Sequence, residues 1–114
     1  MITKYDSEVE ESLARGGTYE INGTNAVTSK QFWGFSASDG AVIDTIKGVA
    51  LKTAVTTLAT ITAAEVDISA IVTNDLSKGL LSGVLYRADG YVITYVKLTS
   101  GSLHCYKLIN QITT

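Results

Sequence analysis

The one histidine and the one cysteine of the chain are neighbours, His104 and Cys105, in the segment LTSGSLHCYK. A cysteine–histidine dyad needs sulfur and imidazole within hydrogen-bond reach, and a zinc site needs about four ligands. The flanking residues predict a strand, whose successive side chains point to opposite faces. We therefore expect no catalytic residue and no metal ligand here, with Cys105 buried as a small apolar residue and His104 half exposed beside Lys97.

The other groups that could carry chemistry are dispersed along the chain. The aspartates stand mostly at predicted turns, where the carboxylate bonds to its own backbone, and no EF-hand spacing occurs. The glycine-containing segments DGAVIDTIKG and SKGLLSG lack the pattern of a P-loop or of a dinucleotide fingerprint. The sequence therefore predicts a protein that is not an enzyme and that carries no cofactor.

The aromatic cluster of the segment QFWGFS consists of Phe32, Trp33 and Phe35. Exposed aromatic rings can stack on a sugar, so these residues are a candidate glycan site. Such clusters more often lie in a core or fill an interface. A glycan-binding β module, with these three residues as its stacking site, therefore stays open as an alternative to a purely structural role.

The composition narrows the class of partner. The nine Lys and Arg residues are scattered and the net charge is −2, which argues against nucleic acid. The longest segment of low charge, VTTLATITAAEVDISAIV, carries two acids and is too polar to cross a bilayer, so no membrane partner is expected. Only 18% of residues are charged, below the usual quarter, which favours burial of part of the surface in an assembly. Small hydroxyl-rich β domains have a similar composition.

Residues 1 to 16 are predicted to form an N-terminal arm ahead of a β-sandwich domain over residues 17 to 114. Ser7 stands three residues before Glu10, the spacing of a capping box, so a short helix is one form of the arm. So short a helix is marginal alone, and the arm is either frayed or ordered against a neighbouring subunit. Its predicted interface residues are Tyr5, Val9 and Leu13. The polar start MITKYDSEVEES does not resemble a signal peptide, so synthesis in the cytoplasm is expected.

The β-domain is predicted to be antiparallel and all-β, because it is rich in Thr, Val, Ile and Tyr and has no proline. Asp39-Gly40, Asp89-Gly90 and Ser100-Gly101 separate apolar runs and are predicted to close β-hairpins. Residues 49 to 73 are compatible with strand or helix, and their threonines and valines favour strand.

Hairpins at the last two turns would set a register for the C-terminal strands. Val96 would face Cys105 and Tyr95 would face Tyr106, which separates two apolar faces. The aliphatic face would hold Leu85, Val92, Thr94, Val96, Leu98, Leu103, Cys105 and Ile109. The tyrosine face would hold Val84, Tyr86, Tyr91, Ile93, Tyr95, Tyr106 and Leu108. We expect the aliphatic face to form the core and the tyrosine face, apart from Leu108, to form a subunit interface. The alternative is that the tyrosine face is covered by a second layer of the same chain.

The arrangement of turns and strands over roughly residues 17 to 107 resembles small structural proteins of tailed-bacteriophage virions. The resemblance lies in a Leu–x–x–Gly loop, a glycine before the next strand, LTSG, and a closing strand with Tyr-Lys. An early asparagine and a DGAVID turn also fit. The matching positions are Leu76, Gly79, Gly83, Leu98, Thr99, Ser100, Gly101, Tyr106 and Lys107, with Asn25 and the segment from Asp39 to Asp44. His104 and Cys105 depart from the pattern.

This resemblance implies a small antiparallel β-sandwich, of which the jelly roll is one form, located in the virion. It implies a homo-oligomer, with a trimer favoured, that binds the major capsid protein or another virion protein. Capsid decoration proteins and the bases of head fibres are the roles it indicates. The matching residues are turn and strand positions, so the resemblance assigns no catalytic residue.

Overall fold

A computed structural model of the chain describes residues 16–53, 55–72, 79–108 and 111–114. The predicted arm residues Tyr5, Val9 and Leu13 lie outside the described residues. The strands are β1 (Thr18–Asn22), β2 (Phe32–Ala37), β3 (Val42–Ala50), β4 (Val66–Asp67), β5 (Tyr86–Arg87), β6 (Tyr91–Ser100) and β7 (Ser102–Lys107). The helices are α1 (Leu58–Ala64) and α2 (Ser69–Val72). The named strands all pair antiparallel, which confirms the predicted all-β fold class.

The sheet follows the order β1-β7-β2-β6-β3-β4, and β5 pairs with β2. The pairing between β2 and β6 is reduced to one position, Phe32 opposite Ile93. The sheet therefore consists of two well-paired parts. We call β1, β7, β2 and β5 the first ladder, and β6, β3 and β4 the second ladder.

Both ladders contribute inward-facing side chains to one core, around which the sheet curls. The members of the core are Ile21, Phe32, Phe35, Ala41, Ile43, Ile46, Ile68, Leu80, Ala88, Ile93, Val96, Leu98, Leu103 and Cys105. Of the predicted aliphatic face, Val96, Leu98, Leu103 and Cys105 lie in this core. The prediction is wrong for Val92, Thr94 and Leu85, which lie outside it, and Ile109 is outside the described residues. Burial of this apolar surface from both ladders is what holds the curled sheet together.

The three glycine turns are present, but the predicted hairpins are wrong. Gly40, Gly90 and Gly101 have φ values of +76°, +81° and +84°, which glycine adopts without steric cost. At each turn the chain passes from one ladder to the other, so the strands on either side are not neighbours. The strand β6 pairs with β3, and β7 pairs with β1 and β2. The predicted pairs Val96–Cys105 and Tyr95–Tyr106 therefore do not form.

The prediction of strand over residues 49 to 73 is wrong for most of this segment. Thr57 begins helix α1 with a capping box, because its hydroxyl accepts from the Thr60 amide at 3.2 Å and its own amide donates to Thr60 Oγ1 at 3.0 Å. Such local bonds to the backbone outweigh the weak strand preference of threonine. Apart from Val49 and Ala50, which end β3, only β4 is strand among the described residues of this segment, and it pairs with Lys47 and Gly48 of β3.

Candidate interface on the outer face of the first ladder

A β-bulge in β2 decides which aromatic residues face outward. Phe32 pairs with Lys107 and Gly34 pairs with Tyr106, so Trp33 is the extra residue on β2. The bulge allows both Phe32 and Phe35 to point into the core, where they are 1% and 0% exposed. Neither ring is accessible to a sugar, so the predicted glycan cluster is reduced to the half-buried Trp33.

Trp33 lies between an aromatic ring and a guanidinium group on the outer face. Its ring stacks on Tyr106, with centroids 5.3 Å apart and planes at 24°. Cζ of Arg87 lies 5.9 Å from the centroid of the Trp33 ring. Because Gly34 pairs with Tyr106 on β7 and with Arg87 on β5, the two neighbours approach from opposite sides of β2. Both faces of the indole are therefore occupied.

His104 extends this arrangement toward the edge strand β1. Its ring meets Tyr106 edge-on, with centroids 5.2 Å apart. Its Nδ1 forms a hydrogen bond with Oε1 of Glu20, which pairs with it across the β1–β7 ladder. The side chains of His104 and Glu20 are 40% and 54% exposed, so this contact is open to solvent. The predicted neighbour Lys97 is on the second ladder, whereas the observed partner is Glu20.

These contacts form a continuous row across the first ladder, which we call the outer-face row. It runs from a carboxylate to a guanidinium through rings that touch in sequence. Its members, in order, are Glu20, His104, Tyr106, Trp33 and Arg87. The row therefore has an aromatic centre, a negative charge at one end and a positive charge at the other.

An exposed aliphatic segment borders the Arg87 end of the row. Residues 80 to 87 run beside β2, on the side opposite β7. At the start of this segment the backbone of Leu80 hydrogen-bonds with Gly40 and Ala41, and at its end β5 pairs with β2. A Cβ placed on Gly34 would lie 3.5 Å from Cδ1 of Leu85, so Leu85 packs beside the row. Along this segment Leu81, Val84 and Leu85 are 63%, 39% and 38% exposed. These three side chains make the segment a candidate contact surface.

Cys105 lies on the opposite side of β7 from His104, as the alternation predicts. It is 0% exposed and belongs to the core. Burial, with a smaller contribution from the charge of Glu20, raises the pKa of its thiol to about 12. A thiol that stays protonated at neutral pH is a poor nucleophile and a poor metal ligand. Cys105 is therefore a structural residue.

The predicted tyrosine face is not a single surface. Tyr86 stacks on Phe35 with ring centroids 5.5 Å apart, and Tyr91 packs against the core. Ile93 is buried, because a bulge between Lys47 and Gly48 of the β3–β6 ladder shifts the alternation by one residue. The rest of the predicted interface is divided: Tyr95 on the second ladder, Tyr106 in the outer-face row and Val84 on the exposed segment.

The part of the outer face of the second ladder around Val92 and Thr94 is covered by the chain itself. Ile61 of α1 and Ile112 line a cavity of about 130 Å³ against Val92 and Thr94 of β6. The Gln31 side chain holds the C-terminal segment by donating to Ile112 O at 2.7 Å and accepting from Ile112 N at 2.8 Å. Thr94 Oγ1 is buried there without a hydrogen-bond partner in the described part of the chain. The cavity is thus a gap beneath α1 and the C-terminal segment.

Two further findings bear on the kind of site. Within residues 16–53, 55–72, 79–108 and 111–114, no group of three or more His, Cys, Asp or Glu side chains is placed to hold a metal ion. Neither helix of the described residues is long and apolar enough to span a membrane.

Sequence reasoning found Trp33, Tyr106 and His104 as unusual residues but not their association. Glu20 and Arg87 are new members, and no local pattern marks them. Glu20 is 84 positions from His104, so only the strand order brings the two together.

Comparisons of the chain with protein-family models, with curated proteins and with solved structures find no match.

Proposed function

We propose that this protein is a non-enzymatic structural subunit that assembles as a homo-oligomer in a phage virion, as a capsid decoration protein or a head-fibre component. The observation that carries the assembly role is the outer-face row with its aliphatic border. Trp, Tyr and Arg are the residue types enriched at the energetic centres of protein interfaces. Here all three lie in contact, beside the exposed side chain of Leu85.

The assembly role predicts self-association in solution. Size-exclusion chromatography with light scattering measures it directly, and we expect a mass above the 12.1 kDa of one chain. Trp33→Ala should lower that mass and leave the far-ultraviolet circular dichroism unchanged, because Trp33 is half buried and is not a member of the core. A wild-type protein that stays monomeric at high concentration would contradict the assembly role.

The virion location is supported by the sequence resemblance alone. The reading frames that flank the gene test it without any expression: we expect a major capsid or portal gene beside it. Co-sedimentation of the purified protein with capsid shells assembled from that neighbouring protein is the biochemical test. Flanking genes of a metabolic operon would count against a virion protein.

The alternative is a glycan-binding module of a phage tail or a cell surface, with Trp33 as the stacking residue. The exposed Glu20 and His104 beside the aromatic rings favour it, since a carboxylate and an imidazole bond well to sugar hydroxyls. The occupied faces of Trp33 and the burial of Phe32 and Phe35 weigh against it. Glycan-array screening, followed by Trp fluorescence on addition of a positive sugar, distinguishes the two functions.

A further inference from the structure

We infer that the outer-face row is the contact surface for a second copy of this chain, related by a two-fold axis. This inference rests on the proposed assembly role and names the surface and the symmetry that would serve it. It starts from the ends of the row, which carry opposite charges: the Glu20 carboxylate on β1 and the Arg87 guanidinium on β5.

Two-fold symmetry makes such a row complementary to itself. In an isologous contact, residue i of one copy meets residue j of the other, and j meets i. An axis that lies between two facing sheets and runs roughly along the strands reverses the row. Glu20 then opposes Arg87 of the second copy at both ends, and the Trp33–Tyr106 pairs meet at the centre. An axis along the row would instead place Glu20 against Glu20 and Arg87 against Arg87.

The dimensions and exposure of the row suit this contact. Three strand spacings separate β1 from β5, so the two strands that carry the opposite charges lie about 14 Å apart across the ladder. The opposite charges therefore lie on either side of the aromatic centre. Protein interfaces have the same arrangement, with a polar rim around an apolar core. Glu20 bonds to His104 through Oε1, and within the described part of the chain its second carboxylate oxygen has no partner and can accept from a guanidinium group.

The symmetry distinguishes this inference from the trimer that the phage resemblance favours. A three-fold axis produces a head-to-tail contact, in which two different patches of each copy meet. A single row whose two halves are complementary to each other matches a two-fold axis instead. The exposed Leu81, Val84 and Leu85 beside the row extend the same contact or serve a second one.

Mixing two charge-reversal variants tests the contact. Glu20→Arg alone places two positive charges together at each end of the dimer, and Arg87→Glu alone places two negative charges together. Each variant alone should dimerise at least tenfold more weakly than the wild type by analytical ultracentrifugation. Mixed in equal amounts, the two should form a heterodimer with near wild-type affinity, because both ends then pair opposite charges.

Matched controls reverse exposed charges on the second ladder. Asp44→Arg on β3 and Lys97→Glu on β6 are the same kinds of change at exposed strand positions. They should leave the association constant within about twofold of the wild type. Thermal unfolding of all variants confirms that each is folded before its mass is interpreted.

The outcomes separate the inference from the function on which it rests. Row variants that self-associate like the wild type, or variants that stay monomeric when mixed, overturn the two-fold contact while the homo-oligomer stands. A wild-type monomer refutes the assembly role itself. A monomer whose row is instead required for co-sedimentation with a capsid protein assigns this face to another virion protein and also overturns the inference.

Discussion

The outer faces of the two ladders differ in how far the described residues cover them. On the second ladder, α1 and the C-terminal segment cover Val92 and Thr94. On the first ladder, the described residues leave the aromatic row at the surface, where Glu20 and His104 remain about half exposed. Apolar residues on the outer face of a sheet are stabilised when another element shields them from water. On the second ladder, α1 shields Val92 in this way. The first ladder uses rings and charges that tolerate water and suit an interface.

The largest expected effect contrasts the two sides of β2. Phe35→Ala removes a ring that is 0% exposed, and large-to-small core changes of this type cost about 3–5 kcal/mol of the free energy of unfolding. Trp33→Ala, two residues away on the outer side, should cost less than half as much. Urea denaturation of both variants measures the difference. Equal losses would mean that the row is part of the folding core and not a surface.

A change beneath α1 tests the cover of the second ladder. Ile61 is 5% exposed, so Ile61→Ala should lower the free energy of unfolding by about 2 kcal/mol, near the low end for such changes because a cavity is already present there. Thr62→Ala on the exposed side of the same helix is the control and should change stability by less than about 0.5 kcal/mol. If both variants match the wild type, α1 does not stabilise the sheet.

Alkaline pH should destabilise the protein through Cys105, the inward neighbour of His104. Burial raises the thiol pKa from 9.0 to about 12, so the folded chain keeps a proton that the unfolded chain loses in this range. Stability is therefore unaffected below about pH 9 and falls by up to about 1.4 kcal/mol per pH unit above it. Tyrosine and lysine also titrate there, so the difference from Cys105→Ala isolates the thiol. A pH dependence identical in both proteins would refute the assignment.

The same burial predicts slow chemical modification of Cys105. At pH 8 the folded protein should react with Ellman's reagent far more slowly than the protein in urea, because the thiol is both enclosed and protonated. Rapid reaction of the folded chain would place Cys105 at the surface. It would also mean that Cys105 lies on the outer face of β7 and His104 on the inner face.

The smallest expected effect is at Asp67, where β4 leads into α2. The amide of Ser69 donates to Asp67 Oδ1 at 2.8 Å, and this bond holds the carboxyl pKa below its usual value. The contribution is present at neutral pH and is lost as the pH falls through the lowered pKa. Asp67→Ala should cost less than about 1 kcal/mol at pH 7, and Asp67→Asn, which keeps an acceptor, should cost less. Thermal unfolding at pH 7 and in acid measures both.

The turns were predictable from the sequence, whereas the pairing of strands was not. Each Asp-Gly or Ser-Gly pair marks a true change of chain direction, because positive φ is a local demand on one residue. Hairpin closure is the commonest use of such a turn, but here each turn leads into the other ladder. Which strand lies beside β7 depends on contacts between distant segments, such as Tyr19 of β1 with Cys105.

The alternation of side chains was predictable only as far as the next bulge. It correctly separates His104 from Cys105, which are adjacent in the chain. It fails at Ile93, because β6 carries an extra residue between Ile93 and Tyr95, and the side chains before this bulge point to the other face from the one predicted. No sequence signal marks this bulge or the bulge at Trp33 of β2, because each depends on how two distant strands pair.

The sequence by itself determines the antiparallel β class, the positions of the glycine turns and the inward direction of Cys105. These depend on the preferences of single residues and on the period of two along a strand. Only the tertiary structure decides that β2 lies beside β7, that Trp33 lies between Tyr106 and Arg87, and that Glu20 meets His104. These contacts join segments that are tens of residues apart in the chain. Which segments meet is determined by how the side chains of all the strands pack into one core.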